Sequence, residues 1–219
     1  MPFMDTLAAY YAARAREYER IYHKHERQAD LARLKDLVPP YFTGRDVLEI
    51  ACGTGWWTQF IAKTARKVTA TDINEETLAI ARAKDYPPDR VTLAVADVYK
   101  LPVHYAGFTG AFAGFWWSHM KRAERRGFIE RLHNVLAPGA VVVALDNTYV
   151  EGSSTPIAYT DADGNSYQRR KLDDGSQHDV LKNFPTEAEL RADLGDLGAE
   201  IEYIALEHYW VFKYVRRKA

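Results

Sequence analysis

Apolar residues in the first part of the chain recur at helical spacing: Leu7, Tyr10, Tyr11, Tyr18, Ile21 and Tyr22, then Leu31, Leu34, Leu37 and Val38. Pro39 and Pro40 stop this pattern, so one long helix or two shorter ones are expected before residue 39. Short runs that are apolar throughout take over. Val47-Leu48-Glu49-Ile50 reads as a buried strand ended by a Gly-rich turn, and Thr58 to Lys63 as the helix that follows. Lys67 to Thr71 is a second strand, and Asn74 is placed to cap a helix carrying Glu75 and Glu76 in its first turn. Val91 to Val95 and Ala111 to Phe115 are the third and fourth strands. An amphipathic helix marked by Phe128, Leu132, Val135 and Leu136 is expected to close at Pro138-Gly139, before a fifth strand at Ala140 to Leu145. Strands that alternate with helices and are apolar on both faces predict a parallel sheet covered on both sides.

The alternation breaks after Asn147. Residues 148–184 are polar, and Asp173-Asp174-Gly175-Ser176 between two strand-like runs suggests a hairpin turn. This stretch reads as an insertion over the carboxyl end of the sheet, either a pocket lid or a solvated excursion. A helix is expected from about Glu187 to Leu197. Glu200 to Leu206 and Tyr209 to Val215 then form an antiparallel pair, reversing near Glu207-His208. The expected layout is one domain over 1–219: a helical cap (1–44), a core (45–147), the insertion (148–184), and a C-terminal helix with the strand pair (185–219).

Composition narrows the class. The 219 residues suffice for one domain, and 47 % hydrophobic with 27 % charged residues is a globular balance. A formal net charge of -1 gives no global field for nucleic acid or anionic membrane. Cys52 is the only cysteine, which excludes an internal disulfide and a thiol-rich metal site. No acids and histidines fall in metal-ligand spacing. No apolar segment behind basic residues suggests a leader, and runs such as Ala140 to Leu145 are too short to cross a bilayer, so a cytoplasmic protein, monomer or homodimer, is expected.

The candidate chemistry sits at strand ends. Glu49-Ile50-Ala51-Cys52-Gly53-Thr54-Gly55 ends the first strand in small residues, where open α/β sheets bind ligands. A dinucleotide loop wants a third glycine, and here Trp56-Trp57-Thr58 follow instead. Asp72 ends the second strand and could accept both ribose hydroxyls of a nucleoside, or serve only as a helix N-terminal acid. Asp97-Val98 ends the third. Phe115-Trp116-Trp117-Ser118-His119 ends the fourth, where Trp116 and His119 could share a face. His119 suits a general base or a buried structural histidine. Asp146-Asn147 ends the fifth strand, where Asp146 could pair with a cationic acceptor, orient a base, or cap the next loop; Tyr149 extends that wall. Tyr11 and Arg14 could share one face of the first helix, or be a core ring and a solvated charge.

The stretch from Val47 to Gly55 resembles the first motif of the class I S-adenosylmethionine-dependent methyltransferases, with Ala51 where a glycine is usual. The spacing of Asp72, Asp97-Val98 and Leu101-Pro102 extends the likeness over about 45–147. The resemblance implies a Rossmann-like, doubly wound seven-stranded sheet in the order 3-2-1-4-5-7-6, with one antiparallel strand. It implies S-adenosylmethionine as cofactor, the loop Ala51, Cys52, Gly53 and Gly55 against its amino acid end, and Glu49 orienting the amine and loop. Asp72 with Ile73 would hold the ribose, Asp97 and Val98 the adenine, and Phe115 the shared wall, with Tyr11 and Arg14 closing over the carboxylate. The acceptor would be a small molecule methylated on O, N or S beside Trp116, His119, Asp146, Asn147 and Tyr149, with His119 and Asp146 as catalytic candidates. The exocyclic base-amine motif is missing at the fourth strand, and Cys52 is misplaced for cytosine chemistry. The alternatives are a non-catalytic S-adenosylmethionine-binding protein, a nicotinamide-dependent oxidoreductase, and, further off, an RNA or protein methyltransferase.

Overall fold

A computed structural model describes residues 3–101 and 106–218, with side chains described from Thr6. The N-terminal segment is α1 (Phe3–Arg14), a 3-10 stretch over Ala15–His23 and α2 (Gln28–Leu37). Pro39 opens a 3-10 turn that ends the segment at Phe42, as its fixed φ and missing N–H demand. The core follows as β1 (Asp46–Ile50), α3 (Thr58–Ile61), β2 (Lys67–Asp72), α4 (Glu75–Arg82), β3 (Val91–Val95), β4 (Phe108–Gly114), α5 (Arg125–His133) and β5 (Leu136–Asn147). After it come β6 (Ile157–Thr160), β7 (Ser166–Lys171), β8 (Gln177–Leu181), α6 (Glu187–Leu194), β9 (Gly198–Ala205) and β10 (Tyr209–Arg216).

Seven strands form the main sheet in the order β3-β2-β1-β4-β5-β10-β9. β3 through β5 pair in parallel, and β10 runs antiparallel to both β5 and β9. This is the Rossmann-like order expected from the sequence. Side-chain alternation sorts each central strand into two cores. Val142 and Ala144 of β5 join Leu48, Ile50 and Phe212 under α5 and α6, with Phe128, Leu132 and Leu190. Val141, Val143 and Leu145 join Val47 and Val211 beneath α2 and α3, with Leu34 and Ile61. Burial on both faces explains why these strands read as continuous apolar runs.

Three local expectations need correction. Thr58–Ile61 is a single turn, shorter than the helix expected to Lys63. α5 ends at His133, and β5 already contains Pro138-Gly139, which therefore do not close the helix. Pairing with β4 slips between Phe108 and Gly110, and Gly139 has φ +81; the irregularity accommodates a proline that cannot donate to the ladder. Asn74 occupies the N-cap position of α4 without a side-chain cap bond; the Asp72 carboxylate accepts its N–H instead, at 2.9 Å.

The polar stretch after β5 folds into a three-stranded antiparallel sheet, β6-β7-β8. Gly164 and Gly175, both at positive φ, make its two reversals. Its last strand is fastened onto the carboxyl ends of β4 and β5: Asn183 N donates to Ser118 O at 2.8 Å and its amide to Met120 O at 2.9 Å. Among the described residues no helix is long and apolar enough to cross a membrane.

Candidate active site: two adjoining chambers at the strand ends

β1 and β4 are neighbours whose crossover connections leave in opposite directions, so a crevice opens where their carboxyl ends diverge. A cleft of about 700 Å³ lies there. Its floor is the loop after β1. Gly53, at φ +56, donates its N–H to Asp72 Oδ2 at 2.9 Å, while Asp72 Oδ1 holds the start of α4. Asp72 thus ties two backbone segments together and still lines the cleft. Burial raises its pKa, against the opposing pull of these N–H donors. Asp97, across the cleft, accepts from Tyr99 N at 2.9 Å. Ile73 and Val98 supply apolar wall.

Glu49 lies in β1, 1 % exposed, and its Oε2 has no hydrogen-bond partner. Burial pushes its carboxyl up to about 8, with the Asp72 charge adding to the effect. A neutral, under-satisfied acid at the loop's root is suited to meet a cationic group.

A second chamber of about 1050 Å³ adjoins the first, and Tyr11, Tyr18, Phe115 and His119 line both. Phe115 adopts φ +60, an uncommon conformation for a bulky residue, fixed by its N–H to Leu145 O at 2.7 Å. His119 sits on a 3-10 turn (Trp117–His119) after β4. Its Nδ1 is 2.7 Å from Leu181 O, an obligate acceptor, so Nδ1 carries the proton. Nε2 then accepts from the Tyr11 hydroxyl at 2.7 Å. Burial, reinforced by Lys182 and Arg170, holds His119 well below the ordinary imidazole range, so the ring is neutral.

The far wall of the second chamber comes from the insertion. Lys182, just after β8, is buried; its Nζ donates to Asp146 Oδ1 at 2.9 Å and to Ser118 Oγ at 2.6 Å. Burial lowers its pKa to about 8 against the attraction of Asp146. Arg170, in β7, donates to Gln168 Oε1 at 2.7 Å and lies 5.9 Å from the Tyr10 ring centroid.

The methyltransferase domain family model matches residues 47–139. A probable S-adenosylmethionine-dependent methyltransferase of Mycolicibacterium smegmatis is 31 % identical over 149 residues, 67 % of this chain and 53 % of that protein. Two solved complexes of DhpI, one with SAH and one with SAM and HEP, superpose with TM-scores of 0.80 and 0.79 at 27 % and 28 % identity. The first covers 99 % of this chain and 98 % of DhpI. The chain carries a methyltransferase domain of the class I S-adenosylmethionine-dependent kind. Demethylmenaquinone methyltransferase of Staphylococcus aureus is similar over a shorter stretch, 28 % identical across 48 % of this chain and 44 % of that one. The chain spans about half the length of these curated relatives.

In this methyltransferase the cleft gathers Tyr11, Ala51, Gly53, Asp72, Ile73, Asp97, Val98, Phe115, Trp116 and His119 from the sequence-derived set. Several others fall elsewhere. Arg14 and Asn147 line the second chamber. Glu49, Cys52 and Gly55 stand behind the cleft wall: burial raises the Cys52 thiol well above its usual range, and a Cβ at Gly55 would run into the Tyr86 hydroxyl and Ala81. Asp146 does not line either chamber. It is fully buried, accepting from Ser118 N, Ser118 Oγ and Lys182, so its carboxylate is committed to those donors. Tyr149 packs on Phe184 and bonds Glu151 at the surface. Ala51 has φ +50, so its departure from glycine costs conformational strain. Trp56 and Trp57 turn from the cleft; Trp56 stacks on Tyr22 at 3.8 Å. Pro102 lies outside the described residues.

Sequence reasoning missed Tyr18 and Asn74 in the cleft, and Arg27, Arg170 and Lys182 in the chamber. Lys182-Asn183 directly after the apolar pair Val180-Leu181 was the readable signal, since a solvated strand end has no need of that pair.

Proposed function

We propose that this chain transfers the methyl group of S-adenosylmethionine to an O, N or S atom of a small molecule. The observation that carries the reading is the pair of chambers meeting at Tyr11, Tyr18, Phe115 and His119, one with strand-end acids and the other without them. DhpI, solved with SAM and HEP together, supports a two-component site on this architecture. The residues present fit the cofactor: Asp72 is available to ribose hydroxyls, Ile73 and Val98 offer an apolar slot for adenine beside Asp97, and the unpartnered oxygen of Glu49 suits the neighbourhood of a cationic amino acid end.

S-adenosylmethionine supplies a methyl carbon on a sulfonium, open to in-line attack. The chain's own part is to align the two ligands and exclude water. Phe115, Tyr18 and Tyr11 form an aromatic collar at the junction, favourable to positive charge on its faces. His119 has its one free lone pair taken by Tyr11, so in this reading it positions the Tyr11 hydroxyl and does not remove a proton. Asp146 fixes Lys182 and the turn at Ser118 and takes no part in proton transfer.

Calorimetric titration of the purified chain with S-adenosylhomocysteine and with NADH tests the reading. S-adenosylhomocysteine is expected to bind and NADH not to; the reverse would overturn it in favour of an oxidoreductase. Asp72→Ala is expected to weaken S-adenosylhomocysteine by about 1–3 kcal/mol through a lost charge-assisted contact. Binding without methylated product across a broad acceptor panel would leave a non-catalytic binding protein.

A further inference from the structure

The second chamber carries a charge that the cofactor alone does not use. Seven lysine and arginine side chains line it, and Glu17 is its single acid. Some of these cations are already occupied. Lys182 is paired with Asp146, Arg169 with Asp179 at 2.8 Å, and Lys24 and Arg27 hold Ser153. Arg14 and Arg170 are not paired with a carboxylate. Arg14 lies over the Tyr10 and Tyr18 rings at 5.8 and 5.4 Å, and Arg170 meets Gln168 and the Tyr10 ring. They come from different elements, the end of α1 and the middle of β7, and converge on one space. Even if Arg14 faces the cofactor carboxylate, Arg170 remains without a carboxylate partner among the described residues, in a setting that screens poorly.

The junction lacks a free proton acceptor as well. Both nitrogens of His119 are engaged, and Asp146 is sealed behind Lys182. Glu17, the chamber's acid, is engaged by Arg20 and by Asp173 N, so among the described residues an acceptor with a proton to lose meets no free base there. An acceptor already ionised has no such need.

Resting on the methyltransferase reading, we infer that the second chamber binds a small anionic acceptor, a carboxylate, phosphonate or phosphate monoester, with Arg170 as its principal cation, and that the methylated atom is an anionic oxygen. A lone pair on that oxygen forms the O–C bond, the C–S bond breaks with its pair going to sulfur, and the sulfonium becomes a neutral thioether. No proton moves. The product ester has one negative charge fewer than the acceptor, so the same cations that gather the acceptor release the product.

The test uses the full chain saturated with S-adenosylhomocysteine. Methylphosphonate, inorganic phosphate and acetate are titrated calorimetrically, with ethanol and ethylamine as neutral and cationic comparators. At least one anion is expected to bind tenfold or more tighter than both comparators, and to weaken as sodium chloride rises. Arg170→Gln, checked for fold by circular dichroism, is expected to lose that anion tenfold or more while S-adenosylhomocysteine affinity stays within about twofold. Arg170→Met serves in its place if Arg170→Gln does not fold. With labelled S-adenosylmethionine, label should appear in an ester of the bound anion. Anions that bind no better than ethanol, or an Arg170→Gln chain that binds them undiminished, overturn the inference while leaving cofactor binding intact. A chain that binds the anion but not S-adenosylhomocysteine overturns the methyltransferase reading and, with it, the transfer step.

Discussion

Glu49 shows how the burial of one acid sets the pH dependence of the fold. Its carboxyl, ordinarily near 4.5, sits at about 8 in the fold because burial penalises its charge. The folded state therefore holds the proton more tightly than the unfolded chain. That preference stabilises fully below pH 4.5 and is lost as pH rises towards 8. Glu49→Gln, neutral at every pH, should match the wild type in acid and exceed it by roughly 3–5 kcal/mol above pH 8. Urea midpoints at pH 5 and pH 8.5 measure this; a difference that does not change with pH would show that Glu49 is ionised in the fold. Ala51 is a second case. At φ +50 its Cβ costs about 1–2 kcal/mol, and a glycine there gives back part of that gain through a freer unfolded chain. Ala51→Gly should stabilise by about 0.5–1 kcal/mol, raising the melting temperature by roughly 2 °C. A lower melting temperature would mean that the Ala51 methyl packs more than it strains. Both residues were legible in the sequence as members of a ligand loop. Their energetics were not, because burial and φ are set by what packs around the loop.

Whole elements were legible where one local rule decided them. A continuous apolar run marked β5 as buried on both faces, and Asp173-Asp174-Gly175-Ser176 marked the reversal between β7 and β8. What the pattern did not tell was where that sheet docks. The answer lies in a long-range pair: Asp146 at the end of β5 and Lys182 just after β8 meet in the interior, and Asn183 donates from its backbone and its side-chain amide to two carbonyls. Polar stretches are read as solvated because most are, and these three residues become interior only through one another. Removing one member of such a buried pair leaves the other uncompensated. Asp146→Asn is thus expected to destabilise by about 3–5 kcal/mol, and adding Lys182→Met to it to recover most of that loss. A double-mutant cycle in urea decides this; strictly additive losses would mean that the two side chains do not interact across the β5–β8 contact.

At the scale of the molecule, the N-terminal segment links the cofactor cleft to the inserted sheet. It places Leu7, Ala8, Tyr11 and Tyr18 in the cleft, and Tyr10, Arg14 and Arg27 in the chamber. Its ties to the insertion are apolar and polar: Leu7 and Tyr10 share a core with Leu172 and Val180, Arg20 pairs with Asp173 at 2.8 Å, and Lys24 donates to Ser153 O at 2.6 Å. Exposed pairs of this kind contribute little, so the buried rings and leucines carry most of the attachment. The sequence revealed a helical cap but not this bridging, because its aromatic residues match a core stripe equally well. A ligand in the cleft contacts the segment and the β1 loop together, so both must order at once. At a hundredfold excess over its dissociation constant, S-adenosylhomocysteine should stabilise the folded state by about 2.7 kcal/mol, or roughly 5–10 °C for a domain of this size. Amide exchange should slow along residues 3–23 and, through the Tyr11–His119–Leu181 hydrogen bonds, along β8 as well. Protection confined to the loop after β1 and the start of α4 would show that the cap does not close over the cofactor. The two chambers would then be independent of each other.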